Sequence, residues 1–224
     1  MSNQESVRNR TSPDTDETPE EVFTRIYAEN AWRGRGSGES KSGPGSSLTY
    51  TESMRAELPE IFEKYDIRSI IDAGCGDFTW MKEVPLKGID YTGLDVVDSV
   101  IEANQAKYGE AGKRFEKADL TADTLPKADL VIARDVLFHL PLNLGMAAVK
   151  NFQKSGSKYL LSTTHRDNPV NKDVATGGFR LINLEEDPFS LPPALEYIPD
   201  RGEEGHYPEG HPQHHRNLGL WALN

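Results

Sequence analysis

Five short apolar runs recur through the middle of the chain: IRSIIDAG (67–74), YTGLDVV (91–97), RFEKADL (114–120), ADLVIARDVL (128–137) and KYLLSTT (158–164). Each has the length and apolar content of a buried strand, the third being the weakest. DSVIEANQAKYG (98–109) and PLNLGMAAVKNFQKSG (141–156) lie between runs and carry helical spacing. FTWMKEV (78–84) reads as a short first helix, stopped by Pro85. Strands alternating with helices predict a parallel sheet covered on both faces. ALEYIPD (194–200) and NLGLWALN (217–224) read as two further strands at the end.

The N-terminal part is organised differently. Residues 1–17 are polar and aperiodic, which predicts a disordered tail. Thr18, Pro19 and Glu21 form a capping-box signature, so a helix starts there and runs to about Asn30 with Val22, Phe23, Ile26 and Tyr27 on one face. Residues 31–50 are rich in Gly and Ser and read as a linker, although Trp32 and two arginines are unusual in one. A second helix is expected over about 51–65, with Met54, Leu58, Ile61 and Phe62 on one side. The expected division is a tail (1–17), a helical cap with its Gly/Ser-rich segment (18–65) and the sheet domain (66–224).

Composition narrows the function classes. The net charge of the 224-residue chain is −11, and no Lys/Arg cluster offers a positive footprint for phosphates, so no nucleic-acid partner is expected. One cysteine allows no internal disulfide. No apolar run approaches the roughly 20 residues needed to cross a bilayer, and the N-terminus lacks a signal-like apolar segment. The expectation is a cytoplasmic protein without membrane contact.

The chemistry concentrates at strand ends. The first strand runs into DAGCGD, where Asp72 and Asp77 flank Gly74, Cys75 and Gly76. In an open parallel sheet the ligand sits at the carboxyl ends of the strands, and a glycine turn there lets backbone approach it. A dinucleotide would favour a third glycine, but Thr79 stands in that place. Carboxylates repel a pyrophosphate and attract a cation. S-adenosylmethionine carries a sulfonium and an ammonium. Asp95, with Val96 beside it, ends the second strand 19 residues past Gly76, where an acid can hold both ribose hydroxyls. Asp119 and Leu120 end the third, within reach of an adenine. Arg134 and Asp135 end the fourth, to flank the methionine part. Trp80 packs over the cofactor or fills the core.

In these four segments, DAGCGD, GLDVV, KADL and LVIARDVLFHL, the chain resembles the class I S-adenosylmethionine-dependent methyltransferases over roughly residues 66–165. The resemblance implies an α/β, Rossmann-like, doubly wound sheet of seven strands, with an antiparallel last strand inserted between the fifth and sixth. It implies S-adenosylmethionine as cofactor and a small-molecule acceptor. His139 and His165, after the fourth and fifth strands, are the candidate general bases. The loop at 164–189 is polar; Arg166 and Arg180 are its candidate anion contacts, which points to a small polar, anionic or sugar-like acceptor. Four of six histidines fall in 203–216, but Gly and Pro leave them without fixed geometry, and no metal is expected. A nicotinamide-dependent oxidoreductase and a non-catalytic cofactor-binding module remain the alternatives.

Overall fold

The computed structural model describes residues 17–32, 39–200 and 216–223. The expectations for a disordered tail, for most of the histidine-rich 203–216 segment and for the centre of the Gly/Ser linker lie outside these residues.

Helix α1 spans Pro19–Ala28, and the capping box at its start is present: Thr18 accepts from the Glu21 amide and the Glu21 carboxylate accepts from the Thr18 amide. Helix α2 spans Leu48–Lys64 and starts earlier than its apolar pattern suggests, because the Ser47 hydroxyl caps the Tyr50 amide at 3.3 Å. The strands are β1 (Ser69–Ala73), β2 (Asp90–Asp95), β3 (Lys113–Lys117), β4 (Leu130–Ala133), β5 (Tyr159–His165), β6 (Glu196–Pro199) and β7 (Arg216–Ala222). Helices α3 (Asp98–Tyr108) and α4 (Leu142–Lys154) follow β2 and β4. The sheet order is β3-β2-β1-β4-β5-β7-β6, and β7 runs antiparallel to both its neighbours, as the resemblance implied.

The inner strands β1, β4 and β5 are buried on both faces, and side chains two residues apart go to the same layer. Ile70, Leu130, Ile132 and Leu161 pack with α2 and α3; Ile71, Val131, Ala133 and Leu160 pack with α4. Helix α2 supplies Met54, Leu58, Ile61 and Phe62 to the first of these cores, so the boundary drawn at residue 65 marks a change of element inside one packed core.

Two connections differ from the regular alternation. The short helix expected at 78–84 is a single 3-10 turn, Met81–Glu83, entered through Phe78 at φ +59° and closed by Pro85. The β5–β6 connection contains no helix; Ile182, Leu184 and Leu191 of this long coil cover the α4 face instead. No helix among the described residues is long and apolar enough to cross a membrane.

Candidate active site

A cavity of about 540 Å³ opens at the carboxyl ends of β1, β2 and β4 and is roofed by α1 and the segment that follows it. Its floor is the turn after β1. Gly74 and Gly76 lie at φ +82° and +53°, a region that side chains with a Cβ rarely enter. A Cβ at Gly74 would strike Val136, and one at Gly76 would strike Ser42. The turn is pinned from below: the amides of Gly74 and Cys75 both donate to the Leu94 carbonyl, at 2.8 and 2.9 Å. Asp95 braces it from the side, accepting from the Gly76 amide at 3.0 Å and the Val97 amide at 3.1 Å. Asn104 on α3 donates to the Gly76 carbonyl at 2.7 Å.

Four acids line this cavity, and three of them, Asp72, Asp95 and Asp119, belong to the half around the glycine turn. Asp72 is buried, accepts from the Tyr91 hydroxyl at 2.7 Å, and has its pKa pushed up to about 7, chiefly by burial. Burial also raises Asp95, against the pull of its backbone donors. Asp119 lines the far end beside Leu120 and accepts from the Thr121 amide and hydroxyl. Val96, Cys75 and Trp80 complete the walls of this half. Burial pushes the Cys75 thiol up, which keeps it protonated and inert.

The segment containing this turn, residues 71–161, matches the family model described as methyltransferase domain. Residues 71–161 thus carry a methyltransferase domain. A ubiquinone biosynthesis O-methyltransferase from Pseudomonas syringae pv. tomato is 24% identical over 123 residues, 52% of this chain and 53% of that protein. The chain thus spans about half the length of this curated relative. Human N-acetylserotonin methyltransferase, solved in complex with SAM, shares the fold at 17% identity and a TM-score of 0.60, over 92% of this chain and 59% of that one. So does the cyclase SpnF, at 14% identity and a TM-score of 0.57, over 81% of this chain and 75% of that one. One fold therefore houses different reactions, and this chain's chemistry has to be argued from its site.

The β4 end of the methyltransferase domain is an ionic cluster. Arg134 forks onto Asp200, Nε to Oδ2 at 3.1 Å and Nη2 to Oδ1 at 3.0 Å, and Nη2 also donates to the Gly45 carbonyl at 2.8 Å. Arg216 donates to Asp200 at 2.8 Å and to Asp135 at 2.5 Å. Burial alone would raise the Asp135 carboxyl, but the Arg134 and Arg216 charges outweigh it and hold the group well below the usual carboxylate range. Asp135 sits at φ +60°, held there by Thr163, whose hydroxyl accepts from its amide and donates to its carboxylate. Arg134 Nη1 is buried without a hydrogen-bond acceptor among the described residues, although it lies 3.4 Å from Asp135 Oδ2, and Arg134 lines the cavity.

Over the site lies a strap, residues 39–47, that composition alone reads as linker. Asp77 holds it: the Ser40 hydroxyl donates to Asp77 at 2.9 Å and the Lys41 amide at 2.6 Å, while the Asp77 amide donates to Ser42. Asp77 therefore clamps the roof and does not line the cavity. Tyr27 on α1 completes the clamp through a 2.7 Å bond with the Ser42 hydroxyl.

Of the two histidines, His139 lines the cavity and His165 does not. His139 Nδ1 lies 2.5 Å from the Gly178 carbonyl. A carbonyl can only accept, so Nδ1 carries the hydrogen and Nε2 keeps its lone pair. Burial lowers the His139 pKa, so the ring is neutral. His165 is 1% exposed, its Nδ1 accepts from the Ile182 amide at 3.2 Å, and burial pulls it down to about 4. It closes the β5–β6 coil and is no base for this cavity.

The two loop arginines are also placed elsewhere. Arg166 is exposed and stacks on Tyr197 with its guanidinium 4.1 Å from the ring centre. Arg180 is buried and donates to the carbonyls of Leu137 and Leu140, the two ends of the turn that carries His139. Its donors orient a base; they do not meet a ligand anion.

Sequence reasoning missed Tyr27, Ser42, Gly45, Asp200 and Arg216. The signal for the strap was the run SKSGPGSS, whose hydroxyls and glycines suit close packing over a turn as well as they suit a linker. Asp200 and Arg216 carried no local signal.

Proposed function

We propose that the protein transfers the methyl group of S-adenosylmethionine to a small acceptor held beneath α1, with His139 as general base. The observation that carries this is the gathering of Asp72, Asp95 and Asp119 around one positive-φ glycine turn within a single cavity. The residues fit the cofactor. Asp95 and Val96 suit the ribose, Asp119 and Leu120 the adenine, and Asp72 the cationic methionine end. Arg134 Nη1, in the wall with no hydrogen-bond acceptor among the described residues and an ion-pair contact to Asp135 at 3.4 Å, suits the methionine carboxylate. A cavity of about 540 Å³ falls in the range of roughly 300–1,000 Å³ typical of small-ligand sites. When bound, the cofactor supplies an electrophilic methyl; the chain aligns it and removes a proton from the acceptor.

The aromatic half of the cavity, around His139, supports catalysis over a binding module, which would need no second compartment. The anionic or sugar-like acceptor loses its basis with the placement of Arg166 and Arg180. His139→Gln tests the reading. The expected result is a fall in kcat of about 10²–10⁴-fold with little change in affinity for S-adenosylhomocysteine. The wild-type rate should rise with pH through an apparent pKa below the ordinary histidine value and then level off, because the neutral ring is the active form. A folded His139→Gln protein with the wild-type rate and pH profile would remove His139 from the chemistry.

A further inference from the structure

Resting on the methyltransferase reading, the site also carries information about its acceptor. Phe23, Trp32, His139, Phe138 and Phe179 all line the cavity. They form an unbroken run of ring contacts. Phe23 to Trp32 is 5.8 Å between centres, Trp32 to His139 is 4.8 Å and nearly parallel at 25°, His139 to Phe138 is 4.4 Å, and Phe138 to Phe179 is 5.2 Å. Phe179 is 49% exposed, so its ring is open to a ligand at the cavity mouth.

The β5–β6 loop side chains that could have served a sugar or an anion are engaged with the chain's own backbone. Asn171 donates to the carbonyls of Asn183 and Asp187, both at 2.8 Å, and Asn183 donates to those of Arg166 and Asn168. Arg180 is committed to Leu137 and Leu140. Along the ring wall, among the described residues, His139 Nε2 is the polar atom left to meet a ligand. A polyol laid on this surface would bury several hydroxyls and pair one; each buried, unpaired hydroxyl is costly. A dicarboxylate would meet a neutral ring, and the two guanidiniums that line the same cavity, Arg134 and Arg216, are already paired with Asp135 and Asp200.

We propose that the acceptor is a planar aromatic compound that stacks on this wall and presents one ring hydroxyl to His139. The hydroxyl's proton passes to Nε2, and the oxygen attacks the sulfonium methyl. The C–S bond breaks with its electron pair left on sulfur, giving the neutral thioether, and an aryl methyl ether forms. The imidazolium then returns its proton to solvent. Atoms and charge balance with no further reactant.

The test uses the full chain loaded with S-adenosylhomocysteine, titrated by calorimetry with 2-naphthol, methyl α-glucoside and succinate, alongside labelled methyl transfer from S-adenosylmethionine to the same three. Naphthol should bind and accept label. Phe179→Ala should weaken naphthol binding about tenfold, or about 1.4 kcal/mol, leave S-adenosylhomocysteine affinity unchanged, and be restored by Phe179→Tyr. Phe179 is half exposed, so these variants fold. Glucoside or succinate binding and turning over where naphthol does neither overturns the proposal. So does a Phe179→Ala protein with undiminished naphthol affinity. A protein that fails to bind S-adenosylhomocysteine at all sinks the methyltransferase reading itself, a different and separable failure.

Discussion

Asp200→Ala is the substitution with the largest expected effect on stability outside the apolar core. Asp200 is fully buried and accepts four hydrogen bonds, two from Arg134 and two from Arg216, at 2.8–3.1 Å. With Asp135 the group holds two cations and two anions, and the guanidiniums are 1% and 5% exposed. Removing Asp200 leaves one uncompensated buried charge and four donors aimed at a void. Breaking a buried pair in this way costs about 3–5 kcal/mol. Against a typical domain stability of about 5–15 kcal/mol that is a large share. For a chain of this size it corresponds to a fall in Tm of about 6–20 °C. Urea unfolding followed by linear extrapolation measures it. Asp200→Asn keeps one acceptor oxygen and should fall between alanine and wild type. Asp200→Ala combined with Arg216→Met restores neutrality, so its loss should be smaller than the sum of the two single losses by about 0.5–3 kcal/mol. Salt should change little, since buried pairs are weakly screened. A loss below about 1 kcal/mol, the value of an exposed pair, would refute the account of this cluster.

Three further outcomes follow from the same geometry. Asp72 binds its proton more tightly when folded, so it costs the free protein stability as pH rises from the ordinary carboxyl value to about 7; a cationic ligand reverses this, so binding of S-adenosylmethionine, with its sulfonium and ammonium, should release protons near neutrality, in calorimetry across buffers, and Asp72→Asn should abolish the release. Asp95→Ala should weaken S-adenosylhomocysteine by about 1.5–3 kcal/mol, and equal affinity in a folded variant would take the ribose away from β2. Asp77→Ala removes the acceptor for Ser40 and Lys41 and should raise the cofactor Kd by speeding dissociation under a loosened strap; stopped-flow release at the wild-type rate would count against that role.

What was legible in the sequence was encoded locally. The β–α alternation, the Thr18 box and the acid-flanked glycine turn each depend on residues a few positions apart, and each stands where its spacing put it. What was not legible depends on partners far away in the chain. The many donors of the Arg180 guanidinium suit an anion, but the same donors serve carbonyls as well, and the choice is made by Leu137 and Leu140, about 40 positions upstream. His165 ends a strand on the ligand side, as its position suggested, yet the coil at Ile182 folds over it and removes it from the cavity. The expected helix at 78–84 failed for a local reason that periodicity does not report: Phe78 enters the left-handed region and leaves too few residues before Pro85.

The acids around the glycine turn divide their duties, and the division says which one the ligand's charge acts on. Asp77 accepts from Ser40, Lys41 and Thr79, so its charge is spent on the roof and the turn. Asp95 accepts from the Gly76 and Val97 amides, so its charge already orients backbone before any ribose arrives. Asp72 has the Tyr91 hydroxyl as its hydrogen-bond donor among the described residues, and Asp95 pushes its pKa further up. Arg134 acts the other way, but burial outweighs it. A carboxyl poised at about 7 is the one whose ionisation a nearby cation can change at neutral pH. The turn is thus held by two acids and left responsive at the third, so a cation arriving beside Asp72 is what would alter the protein's charge at neutral pH.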